Sequence, residues 1–321
     1  MKKLRILAND GLAETAAARL REAGHTLFTE HIDAGDLARF INENNIDVLI
    51  VRSATKVRKD LLQQLEPLKL IIRAGVGLDN IDVKDAEALG IRVRNTPAAS
   101  SHSVAELVMA HLLTGVRFLH DSNREMPLRG DQAFKELKKR YSKGREVRGK
   151  TLGIIGFGRI GRELAKMAIG LEMKVLAYDP YVDEAELTLR FFDGQKAVFR
   201  IRTVDFDTVL RQSDFISLHV PAADKPLIGA PEIDKMKDGA AIINAARGGV
   251  VDEVALYKAL DSGKLSFAAL DVFRDEPQPP VQLLMHPKLS LSPHIGASTV
   301  EAQERIGDEI VRLIDELAHE D

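Results

Sequence analysis

Three glycines carry the first chemical signal in this chain. The stretch Thr151-Leu-Gly-Ile-Ile-Gly156-Phe-Gly158-Arg-Ile-Gly161 reads as a strand feeding a G-x-G-x-x-G turn and then a helix. In such a turn Gly156 permits the tight bend, Gly158 lets the backbone approach a pyrophosphate, and Gly161 lets helix and strand pack closely. The start of the helix offers unpaired N–H groups to the anion. The next strand, 174–178, ends at Asp179, 18 residues beyond Gly161. That is near the spacing of about 20 at which an acidic side chain accepts hydrogen bonds from an adenine ribose. Its charge opposes a 2′-phosphate, and Pro180 follows with no arginine at hand, so the pattern favours NAD over NADP.

A ligand on an open parallel sheet lies beyond the carboxyl ends of the strands, which directs attention to the polar residues there. Strand 240–244 runs into Ala245-Ala-Arg247-Gly-Gly, and an arginine presents a planar fork suited to a carboxylate. Strand 267–270 leads to Asp271 and on to Glu276-Pro277, and the short run 288–292 leads to Pro293-His294. Moving hydride from a secondary alcohol to NAD needs a base for the hydroxyl proton, and the reverse reaction needs an acid. Histidine serves both near neutrality, and a carboxylate beside it fixes its tautomer. His294 with Glu276 can form such a dyad, with Arg247 holding a substrate carboxylate. The competing reading is structural, since the chain has nine histidines and most arginines and glutamates are solvated surface groups.

These residues need a frame, and the chain supplies one. Apolar runs at 4–8, 47–51, 68–73, 91–93, 152–155, 174–178, 214–219, 240–244 and 267–270 alternate with segments of helical period at 12–23, 160–169, 253–260 and 300–317. Alternation of this kind predicts βαβ units and parallel sheets. Capping boxes Ser103-Val-Ala-Glu106 and Ser298-Thr-Val-Glu301 predict helix starts at 104 and at the C-terminal helix. The polar, basic stretch 119–150 has no strand signal and reads as an arm, while Asp193-Gly194 between alternating runs predicts a hairpin over 187–202. With 321 residues, two domains are expected: 1–98 plus 289–321, and 99–288 with the arm.

Composition narrows the class. Apolar residues at 45% and charged residues at 29% suit a globular fold, and 45 Lys plus Arg against 48 Asp plus Glu leave no basic field for nucleic acid or an anionic membrane. The absence of cysteine excludes disulfides, thiolate-bound zinc, iron–sulfur clusters and a cysteine nucleophile, and no metal is expected. No signal h-region and no apolar run of about 18 residues is present, so the default address is the cytoplasm.

The ordered motifs Val51-Arg-Ser-Ala-Thr-Lys56, Arg73-Ala-Gly-Val-Gly-Leu-Asp-Asn80, Asn95-Thr-Pro-Ala, the glycine turn, Asn244-Ala-Ala-Arg-Gly-Gly-Val-Val-Asp252, Ala269-Leu-Asp-Val-Phe273 with Glu276-Pro277, and Ser292-Pro-His-Ile-Gly-Ala-Ser-Thr299 span nearly the whole chain. Together they resemble the NAD-dependent D-isomer-specific 2-hydroxyacid dehydrogenases, above all those acting on 3-phosphoglycerate. The resemblance implies two doubly wound α/β domains, a Rossmann NAD domain inserted into a flavodoxin-like substrate domain. It implies His294 as acid/base, Glu276 as its partner and Arg247 as carboxylate anchor. It puts Arg159, Ile160, Asp179, Val220, Ala245, Asp271 and the Gly296 loop against NAD, with Val76 where relatives often carry threonine.

In the first domain Arg52, Ser53 and Lys56 follow one strand, while Arg73 and the Gly75 backbone follow another. Their cations suit a phosphate, which predicts oxidation of 3-phospho-D-glycerate at the entrance to serine synthesis. A homodimer or larger oligomer built on the NAD domain and its arm is implied. The chain ends at Asp321 without a serine-sensing domain, so no serine inhibition through one is expected. Rival readings are a glyoxylate, hydroxypyruvate or other 2-keto acid reductase, and an NAD-sensing corepressor-like binding protein.

Overall fold

The computed structural model describes residues 2–66 and 68–320. The chain forms two compact units, one running through Ser101 and resuming at Ala297, the other spanning His102–Gly296.

The first unit holds strands β1 (Arg5–Ala8), β2 (Thr26–Phe28), β3 (Val48–Val51), β4 (Leu70–Arg73) and β5 (Arg92–Asn95) in a parallel sheet of order β2-β1-β3-β4-β5. Successive side chains of a strand point to opposite faces, and both faces here are apolar. Ile6, Val48, Ile50 and Ile72 pack with helices Glu14–Glu22 and Val300–His319. Leu7, Leu49, Val51 and Ile71 pack on the other side with helix Ala34–Glu43. Thus the C-terminal helix belongs to the first unit although it ends the chain.

The second unit holds β6 (Thr151–Ile155), β7 (Lys174–Tyr178), β8 (Glu184–Arg190), β9 (Lys196–Arg202), β10 (Phe215–Leu218), β11 (Ala240–Asn244), β12 (Leu265–Leu270) and β13 (Leu289–Leu291). Six of these make a parallel sheet of order β13-β12-β11-β10-β6-β7. A single parallel bridge from Thr203 to Ala177 adds a short outer edge beside β7. The order therefore reverses between β6 and β10, where doubly wound sheets open a crevice at their carboxyl ends. The fold is α/β with two doubly wound parallel sheets, a Rossmann-type unit inserted in sequence into a flavodoxin-like one.

Several local expectations are corrected. β13 pairs in register with β12, so residues 289–296 stay with the second unit and do not join the first. The helix expected to start at 104 starts at Ser101, because the turn after Pro97 runs straight into it. The C-terminal helix is capped by Thr299, not Ser298. The Thr299 hydroxyl accepts from the Ala302 N–H at 3.1 Å, the position three residues on that a cap oxygen reaches. The arm is largely one helix, Leu119–Arg140, with a non-helical residue at Ala133. The hairpin β8–β9 forms around Asp193-Gly194 as expected, and its Ala185 and Leu187 are buried in the core.

The cap assignment sets a stability test. Thr299→Ala should cost about 1 kcal/mol in chemical denaturation. Ser298→Ala should change stability by less than about 0.5 kcal/mol. The opposite ranking would return the cap to Ser298.

Candidate active site

The glycine turn leaves β6 and enters helix Arg159–Gly170. Gly156 has φ +93°, and a Cβ there would lie 2.3 Å from the His219 carbonyl oxygen at the end of β10. A Cβ on Gly161 would lie 2.3 Å from the Gly156 carbonyl oxygen, so helix and strand meet backbone to backbone. At Gly158 a Cβ would meet nothing within 4 Å, which leaves open space at a helix start that no side chain caps. Arg159 and Ile160 are the first helical residues, and a Val220 methyl packs 3.2 Å from the Cβ position of Gly156.

Asp179 follows β7 and has a second task that the spacing did not reveal. One of its oxygens accepts from the Phe157 N–H at 2.8 Å and the other from the Tyr181 N–H at 2.9 Å. The carboxylate thereby holds the glycine turn from the neighbouring strand. Open space at Gly158, an uncapped helix start and an acidic group beyond β7 fit a dinucleotide whose ribose is unphosphorylated.

Across the sheet, the strand ends bring His294 and Glu276 together. Nδ1 of His294 lies 2.9 Å from Glu276 Oε2, and the other carboxylate oxygen accepts from the Phe273 N–H at 2.9 Å. A carboxylate only accepts, so Nδ1 carries the proton and Nε2 is the nitrogen left for a substrate. The imidazole is 42% exposed, enough for such contact. His294 has φ +55°, a left-handed conformation that costs a non-glycine residue about 1–2 kcal/mol. Asp271 offsets that cost. Its carbonyl accepts from the His294 N–H at 2.8 Å, and its carboxylate accepts from Ile295 and Gly296 N–H at 2.9 Å each. At 1% exposure the Asp271 side chain faces this loop and not solvent.

Arg247 stands on the turn after β11, half-buried, with Nη1 donating to the Ala246 carbonyl at 2.6 Å. Asn244 builds that turn, accepting from the Ala246 N–H and donating to the Arg247 carbonyl. Ala245 sits between them. Sequence reasoning passed over Asn244, and over Glu253, whose carboxylate accepts from the Arg274 N–H at 2.8 Å and anchors the segment carrying Glu276. Burial pushes the Glu253 carboxyl up from its ordinary range.

A cavity of about 420 Å³ opens at Glu276 and His294, walled by Phe273, Leu284, Leu291 and Pro293. A larger one, about 870 Å³, lies along helix Glu253–Ser262, but Asp224, Asp252, Glu253, Asp261 and Asp275 outnumber Lys258 and Arg274 there, which does not suit an anionic acid. Among the described residues no three His, Asp or Glu side chains are grouped to hold a metal ion, and no helix is long and apolar enough to cross a membrane.

In the first unit the ends of β3 and β4 are neighbours, Val51 pairing with Arg73. The Arg52–Thr55 loop is fixed from two sides. Asp10 accepts from the Arg52 N–H at 2.6 Å and from the Thr55 N–H and hydroxyl, while Asn80 donates to the Arg52 and Thr55 carbonyls. Ser53 and Lys56 are exposed. The Arg73 guanidinium lies over Gly75, whose N–H donates back to the Arg73 carbonyl at 2.8 Å, so that donor is turned into its own bend. Val76 is exposed beside it. Asp10 was legible by the same strand-end rule, being the second residue after β1.

Residues 109–296 match the profile of the D-isomer specific 2-hydroxyacid dehydrogenase, NAD binding domain. The chain is 45% identical to a hydroxypyruvate reductase of Thermotoga maritima over 98% of both chains. It is 40% identical to a D-3-phosphoglycerate dehydrogenase of Methanocaldococcus jannaschii, covering 97% of this chain and 57% of that one, so it spans little more than half the length of that relative. A D-lactate dehydrogenase from Aquifex aeolicus, solved with NAD and lactic acid, superposes with a TM-score of 0.77 at 30% identity, covering 98% of this chain and 95% of that chain. With its NAD domain matched and the hydroxypyruvate reductase aligned over 98% of both chains, the chain belongs to the NAD-dependent D-isomer specific 2-hydroxyacid dehydrogenases.

Proposed function

We propose that this protein reduces a three-carbon 2-oxo acid to its D-2-hydroxy acid, with hydroxypyruvate as substrate and D-glycerate as product. The observation that carries the reaction class is the His294–Glu276 pair at 2.9 Å, which leaves Nε2 as the proton-transferring nitrogen. NADH, when bound, supplies the hydride for C2. His294 then gives a proton from Nε2 to the carbonyl oxygen, and in the oxidative direction takes the hydroxyl proton. Glu276 keeps Nδ1 protonated and compensates the charged ring. Arg247 grips the substrate carboxylate with its planar fork and so aligns the carbonyl carbon. Gly156, Gly158, Gly161 and Asp179 hold the dinucleotide, with Arg159, Ile160, Val220, Ala245 and Gly296 lining it, while the buried Asp271 shapes the 292–296 loop from behind.

Similarity to the hydroxypyruvate reductase over the full length of both chains supports the unphosphorylated substrate. A second reading, oxidation of 3-phospho-D-glycerate, is favoured by Arg52, Lys56 and Arg73 at the ends of β3 and β4, cations that suit a phosphate.

Initial rates of NADH absorbance change separate the two. Higher kcat/KM for hydroxypyruvate than for 3-phosphohydroxypyruvate is expected, with Arg52→Glu lowering the hydroxypyruvate rate by less than about tenfold. Preference for the phosphorylated acid, abolished by Arg52→Glu, would establish the second reading instead. Glu276→Gln should lower kcat by about a hundredfold, because an amide can present N–H to Nδ1 and reverse the tautomer. An unchanged kcat in that variant would remove Glu276 from the mechanism.

A further inference from the structure

A buried histidine outside the site is linked to the His294 loop by a chain of hydrogen bonds. His111, on helix Ser101–Val116, is 7% exposed. Its Nδ1 lies 2.8 Å from the Ser290 hydroxyl and its Nε2 2.9 Å from the Ser292 hydroxyl. Ser292 in turn donates to Asp271 Oδ1 at 2.5 Å. The Asp271 carboxylate also receives the Ile295 and Gly296 N–H groups, and the Asp271 carbonyl receives that of His294.

With the ring neutral, the proton inventory leaves one arrangement. The carboxylate accepts only, so the Ser292 proton points at Asp271, and the Ser292 oxygen must accept from His111. Nε2 of His111 therefore carries its proton, and Nδ1 accepts from Ser290. A neutral ring satisfies both hydroxyls, and burial lowers the His111 pKa in keeping with that form. Every donor thus points toward Asp271, the residue that fixes the backbone on either side of His294.

We propose that His111 is a positioning residue for His294, acting through Ser292 to orient the Asp271 carboxylate that holds the left-handed His294 loop. This rests on the reading of His294 as acid/base. A core histidine packed only for volume would need no such chain ending at the loop. His111 touches neither reacting atoms nor His294 itself, so its effect falls on the geometry of proton transfer.

The test compares His111→Leu and Ser292→Ala, which break the chain, with His111→Gln and Ser292→Thr, which retain a donor or a hydroxyl. Each is assayed for kcat and KM with hydroxypyruvate, or with whichever 2-oxo acid the wild type turns over best, and for NADH affinity by fluorescence. The breaking variants should lose about tenfold or more in kcat, with KM and NADH affinity within about twofold, and the conservative variants should recover most of the loss. If His111→Leu fails to fold, the Ser292 pair decides the matter alone. Unchanged kcat in the breaking variants, no recovery in the conservative ones, or an equal loss of NADH affinity would overturn the proposal. Independently of activity, nitrogen-15 spectra should report the neutral Nε2–H tautomer for His111, and the Nδ1–H tautomer would overturn the proposal by itself. A wild type inactive on every 2-oxo acid would instead remove the acid/base reading on which it rests.

Discussion

The site depends first on one buried carboxylate. Asp271 leaves the end of β12 at 1% exposure and is satisfied by a serine hydroxyl and two backbone N–H groups, with its own carbonyl taking a third N–H. A buried charge is tolerated only when its acceptor capacity is filled, so the loop 292–296 has one low-energy way to wrap around it. That wrapping holds His294 in a left-handed backbone conformation and aims its ring at Glu276. Loss of any one donor leaves both an unsatisfied carboxylate and a strained histidine.

The parallel sheet makes this economical. Strands β6, β10, β11 and β12 all end on the same edge, so the glycine turn, the His219 carbonyl, the Arg247 turn and Asp271 are placed by strands whose interiors are almost wholly buried. The rigid part of the molecule is its two-faced core, Ile242 and Ala268 on one side of the sheet, Ile243 and Ala269 on the other. Short hydrogen-bonded turns then do the fine placement: Asn244 for Arg247, Glu253 and Phe273 N–H for the Glu276 segment, Asp10 and Asn80 for the Arg52 loop. Binding groups on short turns anchored to strands are held more firmly than groups on long loops.

Much of this was legible in the sequence, for physical reasons that differ by element. Continuous Val/Ile/Leu runs betray strands covered on both faces, and glycines at 156, 158 and 161 are required wherever backbone must meet backbone or a ligand. The pairing of His294 with Glu276 was readable as chemistry, although the turn that brings them together was not. Three-residue β2 and β13 were hard to place because so short a run has no period to read, and β13 draws its place from pairing with β12. Helix Ser101–Val116 starts three residues before the expected 104, and the C-terminal helix is capped one residue after the expected Ser298, since a run of Ser and Thr offers several equivalent oxygens and backbone geometry selects among them. A buried polar link such as His111–Ser292 joins residues 181 positions apart and leaves no local signature.

In the proposed function His294, held by Asp271 and oriented by Glu276, moves the substrate proton. The most direct measurement is the steady-state oxidation of NADH by hydroxypyruvate in His294→Gln, with NADH affinity measured on the same protein by fluorescence. A fall in kcat of about a hundredfold or more is expected, with NADH affinity retained. Turnover within a few-fold of the wild type would contradict it.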